Sequence, residues 1–196
     1  MSRKRDLIEE ILNIELEMFL NVRSLQKASC QEDPDSFRIV RMAQFLSWSE
    51  DTLDNYLNCL RLAIKEGRNL MTEKYARMEG LISRPNKNPL IEKILSVQYA
   101  WQKEMFEKYP NLMRGARPLA SSDDSIYQTS FETYLRGELG TYSDETLESL
   151  HRDISEKLER GENMTEKVYE HTVRGLEYDS LEEAEQSAIN RTQWSR

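Results

Sequence analysis

An internal repeat constrains the fold of this 196-residue chain more than any other feature of its sequence. Residues 36–75 align with residues 130–169 without a gap, at a constant offset of 94, and eight of the forty positions are identical. Unrelated stretches of this length share about two or three identities by chance, so duplication is the simplest explanation. Upstream, Leu7–Leu12 returns as Leu90–Leu95 at an offset of 83, which leaves eleven additional residues in the second copy.

Each copy has the pattern of a unit of about four α-helices. On one central helix of each copy, apolar residues recur at the spacing that places them on a single face. They are Leu53, Leu57, Leu60 and Ile64 in the first copy and Leu147, Leu150, Ile154 and Leu158 in the second. Straight-chain helix formers dominate the composition, while glycine and proline are scarce, which favours the same fold class. The sequence therefore predicts an all-α protein.

The ends of these helices are also marked in both copies. A serine followed by two acidic residues predicts the start of the central helix, and Gly-x-Asn predicts its end and the start of the next helix. The residues are Ser49, Gly67 and Asn69 in the first copy and Ser143, Gly161 and Asn163 in the second. We predict a first helical repeat over 1–83, a second over 84–176 and a C-terminal helix and tail over 177–196. The two repeats should pack as one domain, because each alone would bury too little surface.

Composition argues against several classes of function. The net charge of −8 and the pI near 5.0 do not suit a protein that neutralises a phosphate backbone, so we expect no nucleic-acid partner. No apolar run approaches the roughly 20 residues of a membrane helix, and the N-terminus lacks the apolar stretch of a signal peptide. We therefore expect a cytoplasmic protein without membrane contact. The sequence also lacks zinc spacings, paired Glu-x-x-His motifs and phosphate-binding glycine motifs, so we predict no metal and no cofactor.

One polar residue interrupts an aromatic helix face in each copy. The four positions of this face are Phe37, Val40, Gln44 and Trp48 in the first copy and Phe131, Tyr134, Glu138 and Tyr142 in the second. Because a buried amide or carboxylate is costly without a partner, Gln44 and Glu138 should meet hydrogen-bond partners or line a pocket. Arg41 and Arg136 are the nearby candidates to pair with Glu138. Glu138 is then either a proton acceptor or ligand anchor, or part of a structural network.

Two loops carry the remaining candidates. The loop Tyr109–Tyr127 contains Arg114 and Arg117, whose guanidinium groups could bind a carboxylate or phosphate, or could pair with the acidic surface of the protein itself. The matching loop of the first copy contains Cys30, close to basic side chains and to Asp33 and Pro34, which are typical of a helix start. Such surroundings can make a thiol a nucleophile or a sensor, and an inert thiol is the alternative.

Several short motifs identify a resemblance to a known family. They are Ala28–Gln31 followed by Phe37 and Arg41, then Arg114–Pro118, and then Ser130–Leu139. They resemble a bacterial family known as domain of unknown function 4125, and the resemblance covers nearly the whole chain. It implies a bacterial, intracellular protein whose signature residues lie in the two loops and on the two helices that follow them. It implies no particular activity.

Two hypotheses about function follow from these residues. In the first, which we favour, the protein is a binding protein or an enzyme with a pocket for a small anionic ligand between the repeats. Cys30 and Glu138 are its candidate catalytic residues. The candidate ligand-binding residues are Arg41, Gln44, Trp48, Arg114, Arg117, Arg136 and Tyr142. In the second, the protein is a helical interaction or homo-oligomerisation module without catalysis, whose exposed Met and Leu side chains recruit a partner.

Overall fold

The computed structural model of the protein describes residues 2–22, 33–83, 86–125 and 128–194. Within these ranges the chain forms nine α-helices and no strand, which confirms the predicted all-α class. The helices are α1 (Arg3–Leu20), α2 (Pro34–Leu46), α3 (Glu50–Lys65), α4 (Leu70–Met78), α5 (Leu90–Lys108), α6 (Phe131–Leu139), α7 (Asp144–Glu159), α8 (Met164–Gly175) and α9 (Leu181–Trp194). In this part of the chain, no helix is both long enough and apolar enough to cross a bilayer.

The predicted helix ends are confirmed. Ser49 and Ser143 cap α3 and α7, each by accepting a hydrogen bond from the backbone N–H three residues further on. Gly67 and Gly161 follow these helices with φ angles of +71° and +67°, in the left-handed region that glycine adopts without strain. The carboxylate of Asp33 caps α2, with a proline in the first helical position.

Asn69 and Asn163 each join a short helix to a long one. The side-chain oxygen of Asn69 caps α4 by accepting from the backbone N–H of Thr72, and its amide donates to the carbonyl of Met18 in α1 at 2.8 Å. In the same way Asn163 caps α8 and donates to the carbonyl of Trp101 in α5 at 3.2 Å. One side chain therefore fixes both the start of a helix and its position on the neighbouring helix.

Most of the buried apolar residues of α1 to α8 form one continuous core, and a second, smaller cluster contains Met105, Met113, Val173, Leu181 and Ala184. We call α1–α4 the N-terminal half and α5–α8 the C-terminal half. The halves interlock, because α2 packs on α8, α4 packs on α6, and α3 packs on α7. The hydrophobic effect therefore stabilises the two halves jointly rather than each one separately.

The long loop between α5 and α6 is held from two sides. The carboxylate of Glu185 in α9 accepts hydrogen bonds from the backbone N–H groups of Asn111 and Leu112. At the other end of the loop, the carbonyl of Pro118 accepts from the backbone N–H of Phe131, the first residue of α6, at 2.7 Å. These contacts fix the loop segment that contains Arg117.

Two substitutions of Asn69 distinguish the contributions of its two side-chain hydrogen bonds to stability. Asn69→Ala removes both the cap and the hydrogen bond to Met18, and we expect it to lower the free energy of unfolding by about 1–2 kcal/mol. Asn69→Ser keeps a capping oxygen but loses the donor to Met18, so its decrease in the free energy of unfolding should be about half of that for Asn69→Ala. Urea unfolding followed by circular dichroism measures both values. Equal losses for the two variants would contradict a stabilising role for the Met18 contact.

Candidate functional site

Four ionisable side chains from four helices meet in the interior. They are Glu15 of α1, Arg41 of α2, Lys74 of α4 and Glu138 of α6, and they are between 0% and 4% exposed. Arg41 binds both oxygens of Glu15, at 2.7 and 2.5 Å, and its Nη1 donates to Oε1 of Glu138 at 2.7 Å. Nζ of Lys74 donates to the other oxygen of Glu138 at 2.8 Å. Two acids and two bases thus form a neutral cluster, which we call the ion cluster.

Neutral side chains add further hydrogen bonds to the ion cluster. The hydroxyl of Tyr56 donates to Glu15 at 2.6 Å, and the hydroxyl of Tyr142 donates to Glu138 at 2.7 Å. Gln44 accepts a hydrogen bond from Arg41 at 2.7 Å, and its amide nitrogen lies 3.4 Å from Glu138. Removing charges from water is costly, and full hydrogen bonding is what makes the burial of such a cluster tolerable.

The opposite charges fix the ionisation states of Glu138 and Lys74. Burial by itself raises the pKa of Glu138, but the positive charges of Arg41 and Lys74 outweigh it and hold that pKa well below its ordinary value of 4.5. Burial lowers the pKa of Lys74, but the negative charge of Glu138 outweighs it and holds that pKa above its ordinary value of 10.5. Glu138 is therefore a carboxylate, and Lys74 an ammonium group, across the neutral pH range.

A cavity of about 510 Å³ lies against the ion cluster. Arg41, Lys74 and Glu138 form part of its wall together with Gln44. Aromatic side chains form much of the remaining wall: Phe19, Phe37, Trp48, Phe131, Tyr134 and Tyr169. This volume lies within the range of roughly 300–1,000 Å³ that is usual for small-molecule sites, and the combination of aromatic walls with a few polar groups is typical of them.

Two cations lie on Tyr134 at the cavity wall. Nζ of Lys74 is 2.5 Å from the phenol oxygen and 3.8 Å from the ring centre, and the guanidinium carbon of Arg117 is 4.5 Å from the ring centre. Nη1 of Arg117 donates to the carbonyl of Thr129 at 3.0 Å. The ring of Tyr134 thus holds the Arg117 guanidinium at the cavity, while the ion cluster holds Lys74.

Six of the predicted site residues lie in or beside this arrangement. Arg41 and Glu138 belong to the ion cluster, Gln44 and Tyr142 bind it, and Trp48 and Arg117 line the cavity; Tyr142 does not itself line the cavity. The structure therefore places Gln44 and Glu138 both among hydrogen-bond partners and at a cavity wall.

Two of the predicted site residues are not brought to the cavity, and a third lies outside the described residues. Arg136 does not pair with Glu138; it pairs with Glu92 and Glu132, because residues two apart on a helix point to different faces. Arg114 is exposed and does not line the cavity, while its neighbour Met113 takes the inward position of the short 3₁₀ turn Leu112–Gly115. Cys30 lies outside the described residues.

The sequence prediction missed Glu15 and Lys74. Each is a single charged residue within an apolar helix stripe, Glu15 after Ile11 and Leu12, and Lys74 after Leu70. That spacing places the charge on the face that packs inward, so the signal was present in the sequence. The partners of these two charged residues could not be identified from the sequence, because they come from helices far apart in the chain.

The fold and the site together define an all-helical protein with a cavity and a buried, neutral ion cluster between its helices. The chain belongs to the family described as "Protein of unknown function (DUF4125)", which matches residues 5–186. This match confirms the resemblance that the short motifs indicated, and it covers every described residue of the ion cluster and of the cavity wall. No curated protein and no solved structure matches the chain.

The pH dependence of stability tests the role of Glu138. Glu138→Gln leaves two buried cations facing one carboxylate, so we expect the variant to be about 3–5 kcal/mol less stable at pH 7. The pKa of Glu138 is lower in the folded state than in the unfolded state, so its contribution is complete above about pH 5 and is lost as the pH falls. The stability gap between the wild type and the variant should therefore narrow in acid, as measured by urea unfolding over a pH series.

Glu10→Gln is the matched control for this series. Glu10 pairs with Arg61 on the surface, where an ion pair contributes about 1 kcal/mol or less. The difference in free energy of unfolding between the wild type and Glu138→Gln could be as small as that for the control, or could stay constant on acidification. Either result would show that the ion cluster does not stabilise the fold.

Proposed function

We propose that this protein binds a small molecule with a largely apolar body and an anionic group in the cavity between its two halves. The observation that carries the proposal is the cavity itself, because its aromatic wall adjoins a wall of charges that are fixed by hydrogen bonds. Aromatic side chains provide area for an apolar ligand, while a few oriented polar groups set its direction.

The ionisation of the ion cluster favours binding over acid–base catalysis. A general base works best when its pKa lies near the working pH, whereas the pKa of Glu138 is held well below its ordinary value. An amine nucleophile needs a lowered pKa, whereas that of Lys74 is raised. Both groups are therefore suited to hold a ligand by charge and hydrogen bonds rather than to exchange protons with it.

We further propose that the two halves are repeats related by an approximate twofold axis that passes beside the cavity. The helices α3 and α7 have equal length and begin 94 residues apart, as the sequence offset requires. The packing of α2 on α8 has its counterpart in the packing of α6 on α4. Gln44 and Glu138, which are aligned by the same offset, lie close to each other, as residues beside such an axis would.

The two halves differ in charge at equivalent positions. Glu15, Arg41 and Lys74 in the N-terminal half correspond to Gln98, Leu135 and Val168 in the C-terminal half, and five of these six residues line the cavity, Glu15 being the exception. At these three positions the N-terminal half is charged and the C-terminal half is not, and the C-terminal half contributes Glu138 and Arg117 to the wall instead. This asymmetry suits an amphipathic ligand that binds in one orientation.

An interaction or oligomerisation module, the second hypothesis, has less support. The exposed large apolar side chains among the described residues are distributed over α1, α2, α3, α7 and the segments after α4 and α8. Isolated apolar residues of this kind are normal on protein surfaces. The cavity therefore gives the more specific indication of function.

Binding of the neutral fluorescent probe N-phenyl-1-naphthylamine tests the cavity without involving charge. We expect saturable binding of one probe per chain, and we expect Val168→Trp, which fills the cavity from α8, to weaken it at least about tenfold, or 1.4 kcal/mol. Thr172→Phe, one turn further along α8, is a second filling variant. Both residues line the cavity. Fluorescence titration measures the dissociation constants.

Leu158→Trp is the control, because Leu158 is exposed on α7 and does not line this cavity. It should bind the probe as the wild type does. Absence of saturable binding, or equal binding by the filling variants once their folding is verified by circular dichroism, would refute the proposal.

A further inference from the structure

We propose that the ligand is an amphipathic monocarboxylate and that Lys74, Tyr134 and Arg117 bind its carboxylate. This inference rests on the proposed function, since it names the chemical class of the molecule that occupies the same cavity. It is carried by two observations: the hydrogen-bond donors that remain uncommitted at this wall, and the balance of charge around it.

Uncommitted donors converge around the ring of Tyr134. Lys74 has three ammonium protons, and the described residues provide two acceptors for them, the phenol oxygen of Tyr134 and a carboxylate oxygen of Glu138. Because the phenol oxygen accepts from Lys74, its own proton is directed elsewhere, and no acceptor for it occurs in the described part of the chain. Arg117 has five N–H groups, of which the described contacts occupy one.

These donors differ in type but match one kind of acceptor. A carboxylate has two oxygens and about four acceptor directions, so it can bind an ammonium group, a phenol and a guanidinium at the same time. Lys74 and Arg117 both lie against the ring of Tyr134, and Nζ of Lys74 is 2.5 Å from its hydroxyl oxygen. The three side chains line the same cavity as the aromatic residues, so an apolar body attached to the carboxylate can pack against those aromatic side chains.

The charge balance restricts the ligand to a single negative charge. The positive charges of this wall belong to Arg41, Lys74 and Arg117; the negative charges belong to Glu138 in the wall and to Glu15, which lies behind it and pairs with Arg41. One positive charge is left over, which a monoanion neutralises. The other acid of the cavity is Asp33, which accepts a hydrogen bond from the backbone N–H of Ser36. Asp33 is exposed to solvent, so water screens its charge.

A second negative charge on the ligand would be opposed by Glu138. This carboxylate is 2.8 Å from Lys74 and stays ionised, so any anion bound to Lys74 lies near a fixed negative charge. Like charges repel strongly where water is excluded, and a dianion would also leave a net charge at the cavity wall. The wall therefore selects carboxylates over phosphate dianions.

Competition for the bound N-phenyl-1-naphthylamine tests this selection with three ligands of similar shape: 2-naphthoate, 2-naphthyl phosphate and the neutral 2-naphthalenemethanol. At pH 8 we expect 2-naphthoate to bind at least about tenfold more tightly than either of the other two, the gain typical of one charge-assisted contact. At about pH 5 the phosphate is mostly a monoanion, so its affinity should rise towards that of the carboxylate, which remains mostly ionised.

Variants of the donor residues test the recognition of the carboxylate separately from the binding of the apolar body. Tyr134→Phe keeps the ring but removes the phenol, and Arg117→Gln removes the charge, so each should weaken 2-naphthoate binding about tenfold. The affinity for the neutral alcohol should not change, and Arg117→Lys should restore part of the loss. Arg114→Gln, in the same loop but outside the cavity wall, is the control and should bind 2-naphthoate as the wild type does.

The outcomes distinguish this inference from the proposed function. Equal affinities for the three ligands, tighter binding of the phosphate at pH 8, or unchanged 2-naphthoate binding in Tyr134→Phe and Arg117→Gln would overturn the assignment of a monocarboxylate. Binding of the neutral probe would still support a small-molecule site in each of these cases. If the neutral probe itself failed to bind, the proposed function would fall, and this inference with it.

Discussion

Arg41 of α2 and Glu138 of α6 are 97 residues apart in the chain and share a buried hydrogen bond of 2.7 Å. Neither charge can stay buried alone, because the cost of removing it from water is offset only by a fixed opposite charge and complete hydrogen bonding. Arg41 therefore needs Glu15 of α1 as well, and Glu138 needs Lys74 of α4. The positions of four helices thus depend on one another through a cluster that tolerates little displacement.

The same constraint shapes the cavity. Both oxygens of Glu138 are occupied by Arg41, Lys74 and Tyr142, so this wall offers a ligand fixed charges rather than an exchangeable proton. Lys74 connects the cluster to Tyr134, and Tyr134 holds Arg117 from the loop between α5 and α6. Lys74 therefore belongs both to the ion cluster, which stabilises the core, and to the group of hydrogen-bond donors at the cavity wall. This double role links the stability of the fold to the proposed recognition of an anion.

Much of the fold could be predicted from local signals, whereas the site could be predicted only in part. Caps such as Ser49 and glycines such as Gly67 act within a few residues, so their sequence patterns identify helix ends directly. Gln44 and Glu138 stood out as polar interruptions of an aromatic face. Lys74, the second cation that binds Glu138, could not be identified, since pairing across the core depends on how distant helices pack. The predicted pairing of Arg136 with Glu138 is wrong, because residues two apart on a helix point to different faces.

A double-mutant cycle of Arg41 and Glu138 tests the central claim most directly. The variants Arg41→Met, Glu138→Leu and the double variant remove one charge, the other, and both, and urea unfolding at pH 7 gives the free energies. If the buried pair couples the two halves, the double variant will be more stable than the sum of the single losses predicts, by about 1–3 kcal/mol. Losses that add to within about 0.5 kcal/mol would contradict the account, because the two charges would then be independent.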